Sequence, residues 1–142
     1  MINPKSSSIR IQRVKPEATW PIRHQVMWPD RNLNYVKLPN DSEGMHYGLY
    51  QGETLLSVVS LFVKDDEAQF RKFATLAKQQ GKGLGSQLLE HLIDEAKRQG
   101  VKRLWCNARV DKTGFYERFG MTTTNQTFSK GGIDYVIMEL FL

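Results

Sequence analysis

At 142 residues the chain is long enough to bury a core without disulfide or metal staples, and 40% apolar with 25% charged residues is ordinary globular composition. The net charge of +5 comes from basic residues scattered along the chain, which argues against a nucleic-acid surface, and a lone Cys106 excludes an internal disulfide. No run approaches the roughly 18 apolar residues of a membrane span, and the first eight residues lack a signal-peptide core. One soluble, cytoplasmic domain over residues 1–142 is therefore expected, with neither nucleic acid nor membrane as a partner.

Ile9 to Val14 alternates as a first strand. Pro16-Glu17 opens a helix that runs on to Met27, with Pro21 expected to kink or restart it. Arg31 to Glu43 is polar and without period. Three strands of a meander follow: Met45–Gln51, a Gly52-Glu53 hairpin turn, Thr54–Val63, an Asp65-Asp66 turn, and Glu67–Leu76. From Leu84 the apolar residues Leu88, Leu89, Leu92, Ile93 and Ala96 keep one helical stripe, which Gly100 ends. Val101–Cys106 returns as a strand parallel to its predecessor. A short helix over Lys112–Phe119 and two strands, near Thr122–Phe128 and Ile133–Phe141 and meeting at Gly131-Gly132, complete a mixed α/β sheet.

The chemistry concentrates at the strand-to-helix junction Gln80-Gly81-Lys82-Gly83-Leu84-Gly85-Ser86. A helix N-terminus offers unpaired N–H groups and partial positive charge to a phosphate, and glycines let the backbone come close. A Walker loop is excluded because no glycine here precedes Lys-Ser or Lys-Thr. A dinucleotide fingerprint is excluded because Ser86 and Leu88 stand where its last glycine belongs. The pattern that fits is Gln/Arg-x-x-Gly-x-Gly/Ala. Together with Phe70-Arg71-Lys72-Phe73-Ala74-Thr75 before it, Leu104-Trp105-Cys106-Asn107-Ala108-Arg109 after it, and Gly114-Phe115-Tyr116-Glu117-Arg118-Phe119-Gly120-Met121, the stretch resembles the GNAT superfamily of N-acetyltransferases.

That resemblance implies an α+β fold: a mixed, mostly antiparallel twisted sheet of about seven strands with helices on both faces. It implies acetyl-coenzyme A as co-substrate and no metal. The pantetheine arm would lie on Phe73, Ala74 and Thr75, the pyrophosphate on Gln80, Gly81, Lys82, Gly83, Leu84, Gly85 and Ser86, with Asn107 at the mouth of a V-shaped opening. Tyr116 takes the general-acid position. The family's glutamate positions fall on Gln69 and Asn107, which cannot act as bases, so Glu67 acting through water is the candidate base. Arg23, Trp28, His46, Phe128 and Tyr135 are candidates to line the acceptor pocket, Arg23 by reading a carboxylate or phosphate. Cys106 shows no nucleophile's surroundings, which favours direct transfer to a small-molecule or peptide amine. A coenzyme-A-binding regulatory module is the alternative. The apolar end Ile137–Leu142 suits either a dimer edge or a core strand.

Overall fold

The computed structural model describes residues 8–142. Its elements are β1 (Ile9–Val14), α1 (Pro16–Met27), β2 (Met45–Gln51), β3 (Thr54–Lys64), β4 (Glu67–Thr75), α2 (Leu84–Arg98), β5 (Arg103–Arg109), α3 (Thr113–Glu117), β6 (Thr122–Lys130) and β7 (Ile133–Phe141). The aperiodic stretch after α1 forms two single 3₁₀ turns, Leu33–Val36 and Asp41–Glu43. One seven-stranded sheet, ordered β1-β2-β3-β4-β5-β7-β6, holds all the strands, and only β4 and β5 run parallel.

The helices divide between the faces. The stripe Leu84, Leu88, Leu89, Leu92, Ile93 and Ala96 of α2 packs on Val59, Leu61, Phe70, Leu104 and Met138 in the larger core. On the opposite face Ile22 of α1 meets Val58 and Ala74. Pro21 lies within α1, which stays one helix from Pro16 to Met27 rather than restarting. The two glycine-bearing hairpin turns carry the backbone their residues allow. Gly52 has φ 59°, and Gly131 and Gly132 have φ 60° and 79°, the doubly positive pair of a type I′ turn.

Strand β7 lies between β5 and β6, so Ile137–Phe141 is an interior strand and not the sheet edge that a dimer would use. Among the described residues no helix is long and apolar enough to cross a membrane.

Candidate active site

The parallel pairing of β4 with β5 covers only Glu67↔Arg103, Ala68↔Leu104 and Gln69↔Trp105. Beyond Gln69 the two strands separate, and the wedge between them is the mouth of a cleft of about 740 Å³. A bulge in β4 accompanies the separation. The register with β3 runs Ser60↔Arg71 and then Val58↔Ala74, so Lys72 and Phe73 together stand opposite Val59. Lys72 takes φ 56° there, the left-handed region that a non-glycine residue rarely enters. The extra residue also reverses the alternation: Phe70 points into the α2 core, whereas Ala74, four positions on, belongs to the α1 side.

At the far end of β4 the glycine loop leads into α2. Gly81 and Gly83 have φ 80° and 81°, and no side chain caps the helix at Gly83. The first intrahelical hydrogen bond is donated by Gln87 to the Gly83 carbonyl at 3.1 Å, which leaves the N–H groups before it for another acceptor. A Cβ on Gly85 would come within 3.2 Å of the Phe73 ring, so glycine keeps this floor of the cleft low. Gln80 Nε2 donates to the Thr75 carbonyl at 2.9 Å and ties the loop to the strand end. Lys82 turns to Gln79 Oε1, 3.3 Å away, and is not part of the lining, unlike Gln80, Gly81, Gly83, Leu84, Gly85 and Ser86.

Tyr116, on α3, lines the wedge with its ring centroid 5.8 Å from Phe70 and 5.2 Å from Phe115. Burial pushes its phenol well above the ordinary range, with the neighbouring Cys106 adding to the rise, so it stays protonated at neutral pH. Burial likewise pushes the Cys106 thiol up to about 12, which keeps it an unreactive thiol. Asn107 is exposed at the cleft mouth, and Phe73, Ala74 and Thr75 form the β4 wall. The irregular entry to α3 is a 3₁₀ turn over Val110–Lys112.

Several sequence-based expectations do not survive the geometry. Glu67 stands at the closed end of β4, exposed and paired with Arg103 at 3.2 Å, and is not among the residues that line the cleft. Arg23 is fully buried under α1 and reads no substrate. Its Nη1 and Nη2 donate to both Asp41 carboxylate oxygens at 2.9 and 3.0 Å, and further to the Val36 carbonyl and Ser60 Oγ. His46 is buried in the same cluster. Its Nε2 lies 2.7 Å from the Asp41 carbonyl, which can only accept, so Nε2 carries the proton and Nδ1 accepts from the Ser60 hydroxyl at 2.7 Å. Burial, and secondarily the Arg23 charge, lowers its pKa and keeps it neutral.

Trp28 packs edge-on against Tyr35 at 5.1 Å beside the Gly131 turn and stays off the lining. Tyr135 does line the cleft, stacked at 5.1 Å on Phe128, which does not. Lining residues that went unremarked as site residues in the sequence include Val26 and Met27 at the end of α1, Arg71 and Lys72 at the bulge, and Arg109, Lys112 and Arg118 at the β5–α3 side. Burial, then the charges of Arg71, Arg23 and Lys130, bring Lys72 down to about 8. No local signal marks the bulge, because it arises from pairing with β3.

The model of the acetyltransferase (GNAT) domain matches residues 26–142. The chain is 28% identical over 140 residues to the uncharacterized N-acetyltransferase YitI of Bacillus subtilis (strain 168), covering 92% of this chain and 94% of that one. It is 32% identical over 104 residues to the [ribosomal protein bS18]-alanine N-acetyltransferase of Escherichia coli (strain K12), covering 68% and 70%. The solved ribosomal-protein-S18-alanine N-acetyltransferase from Escherichia coli superposes with a TM-score of 0.77 at 24% identity, over 94% of both chains. A GNAT family acetyltransferase from Elizabethkingia anophelis with acetyl-CoA bound gives 0.72 at 21%, over 94% and 98%. With the family model spanning most of its length, the chain belongs to the GNAT acetyltransferases, acetyl-CoA-dependent acyltransferases.

Proposed function

We propose that residues 1–142 form one transferase domain that passes acetyl from acetyl-CoA directly to a primary amine bound in the same cleft. The observation that carries the reading is the position of Tyr116 in the wedge between β4 and β5, on the path leading to the uncapped N-terminus of α2. In this reading the N–H groups of Gly81 to Ser86 take the pyrophosphate, and the glycines fit it because their positive φ turns the backbone toward it. The register skips Lys72 and Phe73, so backbone polar groups at the bulge are open to the amides of the pantetheine arm.

The amine attacks the thioester carbonyl and the sulfur leaves as thiolate. Tyr116, held protonated by burial, donates a hydrogen bond to that sulfur, and its high pKa makes stabilisation rather than full proton delivery its contribution. Among the described residues no aspartate, glutamate or histidine lines the cleft, so in this reading the attacking amine gives up its proton to water. The cations around it favour that loss, since a nearby like charge disfavours an ammonium. The acceptor class includes small amines and protein N-termini, the latter by analogy with the bS18-alanine enzyme.

A thiol-release assay with acetyl-CoA across amino acids, aminoalkyl phosphates, polyamines, aminosugars and peptides tests the proposal. Turnover on at least one amine is expected. Tight acetyl-CoA binding with no turnover on any of them would favour a coenzyme-A-binding module instead.

A further inference from the structure

Five cationic side chains line the cleft, Arg71, Lys72, Arg109, Lys112 and Arg118, with no carboxylate among the lining residues. They fall into two groups. Arg109, Lys112 and Arg118 lie at the β5–α3 side, where Arg118 sits over the Phe115 ring at 5.1 Å. Arg71 and Lys72 lie on β4, on the other side of Phe73–Thr75 from the glycine loop. At a rise of about 3.3 Å per residue, Arg71 is on the order of 13 Å along the strand from Thr75, so it cannot serve a phosphate held at the loop.

Arg71 is half-buried, and burial together with the Arg23 charge works against its own cation. The groups that would neutralise it are taken. Asp41, the nearest opposite charge it feels, is held through both oxygens by Arg23. Ser60, its register partner on β3, already accepts from Arg23 and bonds His46. Among the described residues the Arg71 guanidinium has no hydrogen bond or ion pair. Keeping a cation partly desolvated and uncompensated is costly, and a ligand anion removes the cost. Arg71 shares the cleft lining with Val26 and Met27 of α1 and with Tyr135, which in the transferase reading makes this the acceptor end of the opening.

Resting on the transferase reading above, we propose that Arg71, with Lys72 beside it, anchors an anionic group of the acceptor. The amine acetylated then carries a carboxylate or phosphate a few bonds from its nitrogen. A planar guanidinium grips either group through two N–H donors, and the grip orients the free amine toward the wedge where Tyr116 sits. The same cations repel polyamines.

The test uses the full chain at saturating acetyl-CoA with matched acceptors: β-alanine against β-alaninamide, and O-phosphoethanolamine against ethanolamine, with putrescine as a cationic acceptor. The anionic member of at least one pair is expected to have the higher kcat/KM. Arg71→Gln should remove that advantage through acceptor KM, by on the order of 10- to 100-fold, the size of a lost charge-assisted hydrogen bond. Acetyl-CoA KM should stay unchanged and the thermal unfolding midpoint should not fall, which shows that the variant is folded, and Arg71→Lys should restore part of the loss. Whichever pair responds separates carboxylate from phosphate. Turnover confined to ethanolamine, β-alaninamide or putrescine sinks this inference alone, as does an Arg71→Gln effect that falls on acetyl-CoA KM. Absence of thiol release with every amine, despite acetyl-CoA binding, removes the transferase reading and this inference with it.

Discussion

Tyr116 and Arg23 are both polar residues on helices, yet the packing around them gives them opposite work. The Tyr116 ring is held by Phe70 and Phe115 while its phenol belongs to the cleft lining. Tyr116→Phe keeps those ring contacts and removes one donor. Turnover should fall about 10- to 100-fold, the size of a lost hydrogen bond to a charged leaving group, while acetyl-CoA affinity measured by calorimetry stays nearly constant. An equal loss of affinity would make Tyr116 a binding residue instead. Arg23, by contrast, spends every Nη donor on Asp41, Val36 and Ser60 and leaves only Nε without a partner. Tyr116 was legible in the sequence because its neighbours Phe115 and Phe119 form a motif with it. The burial of Arg23 was not, since its carboxylate partner comes from a loop 18 residues away that has no periodicity of its own.

Among the elements, β4 decides the site, and it does so by departing from regularity. A straight β4 would continue its parallel ladder with β5 past Gln69 and close the wedge. Its bulge at Lys72 and the low floor at Gly85 together keep the opening deep. Gly85 has no positive φ, so its glycine is there for space alone. Gly85→Val places methyl groups against Phe73 and Thr75, where even a single Cβ would already stand 3.2 and 3.5 Å from their side chains. Acetyl-CoA KM should rise at least about 10-fold, equivalent to some 1.4 kcal/mol of binding, with little change in thermal stability because the branch points into the cleft. An unchanged KM would place the cofactor arm elsewhere. Elements of this kind divided cleanly in legibility. The α2 stripe, the meander and the Gly131-Gly132 turn follow local periodicity and turn chemistry, and the structure places them where the sequence does. The bulge depends on registry with β3, a long-range property that no window of β4 contains.

On the scale of the whole molecule, two layers are fastened to the sheet by different physics, and pH separates them. The α2 face is fastened mainly by the apolar stripe of α2 packed on the sheet. The α1 face is fastened by the buried cluster of Arg23, Asp41, His46 and Ser60, together with Trp20, whose Nε1 donates to Asp41 at 3.0 Å. Burial alone would raise the Asp41 pKa, but hydrogen bonds from Arg23, the Leu38 N–H and Trp20 outweigh it and hold the carboxyl below its ordinary range. His46 is also depressed, by burial first. For both groups the unfolded chain binds a proton at a higher pH than the folded one, so stability rises with pH and is lost on acidification. The two windows differ. His46 begins to cost stability as pH falls below about 6.5, its unfolded value, at up to about 1.4 kcal/mol per pH unit, whereas the Asp41 contribution goes only below about pH 4. Urea unfolding of the wild type should therefore show a lower midpoint at about pH 5 than at about pH 7. His46→Gln, which keeps an amide donor but cannot titrate, should start less stable and lose much less over the same interval. Equal losses in the two proteins would assign the acid sensitivity to other groups and leave the His46 cluster a passive part of the α1 interface.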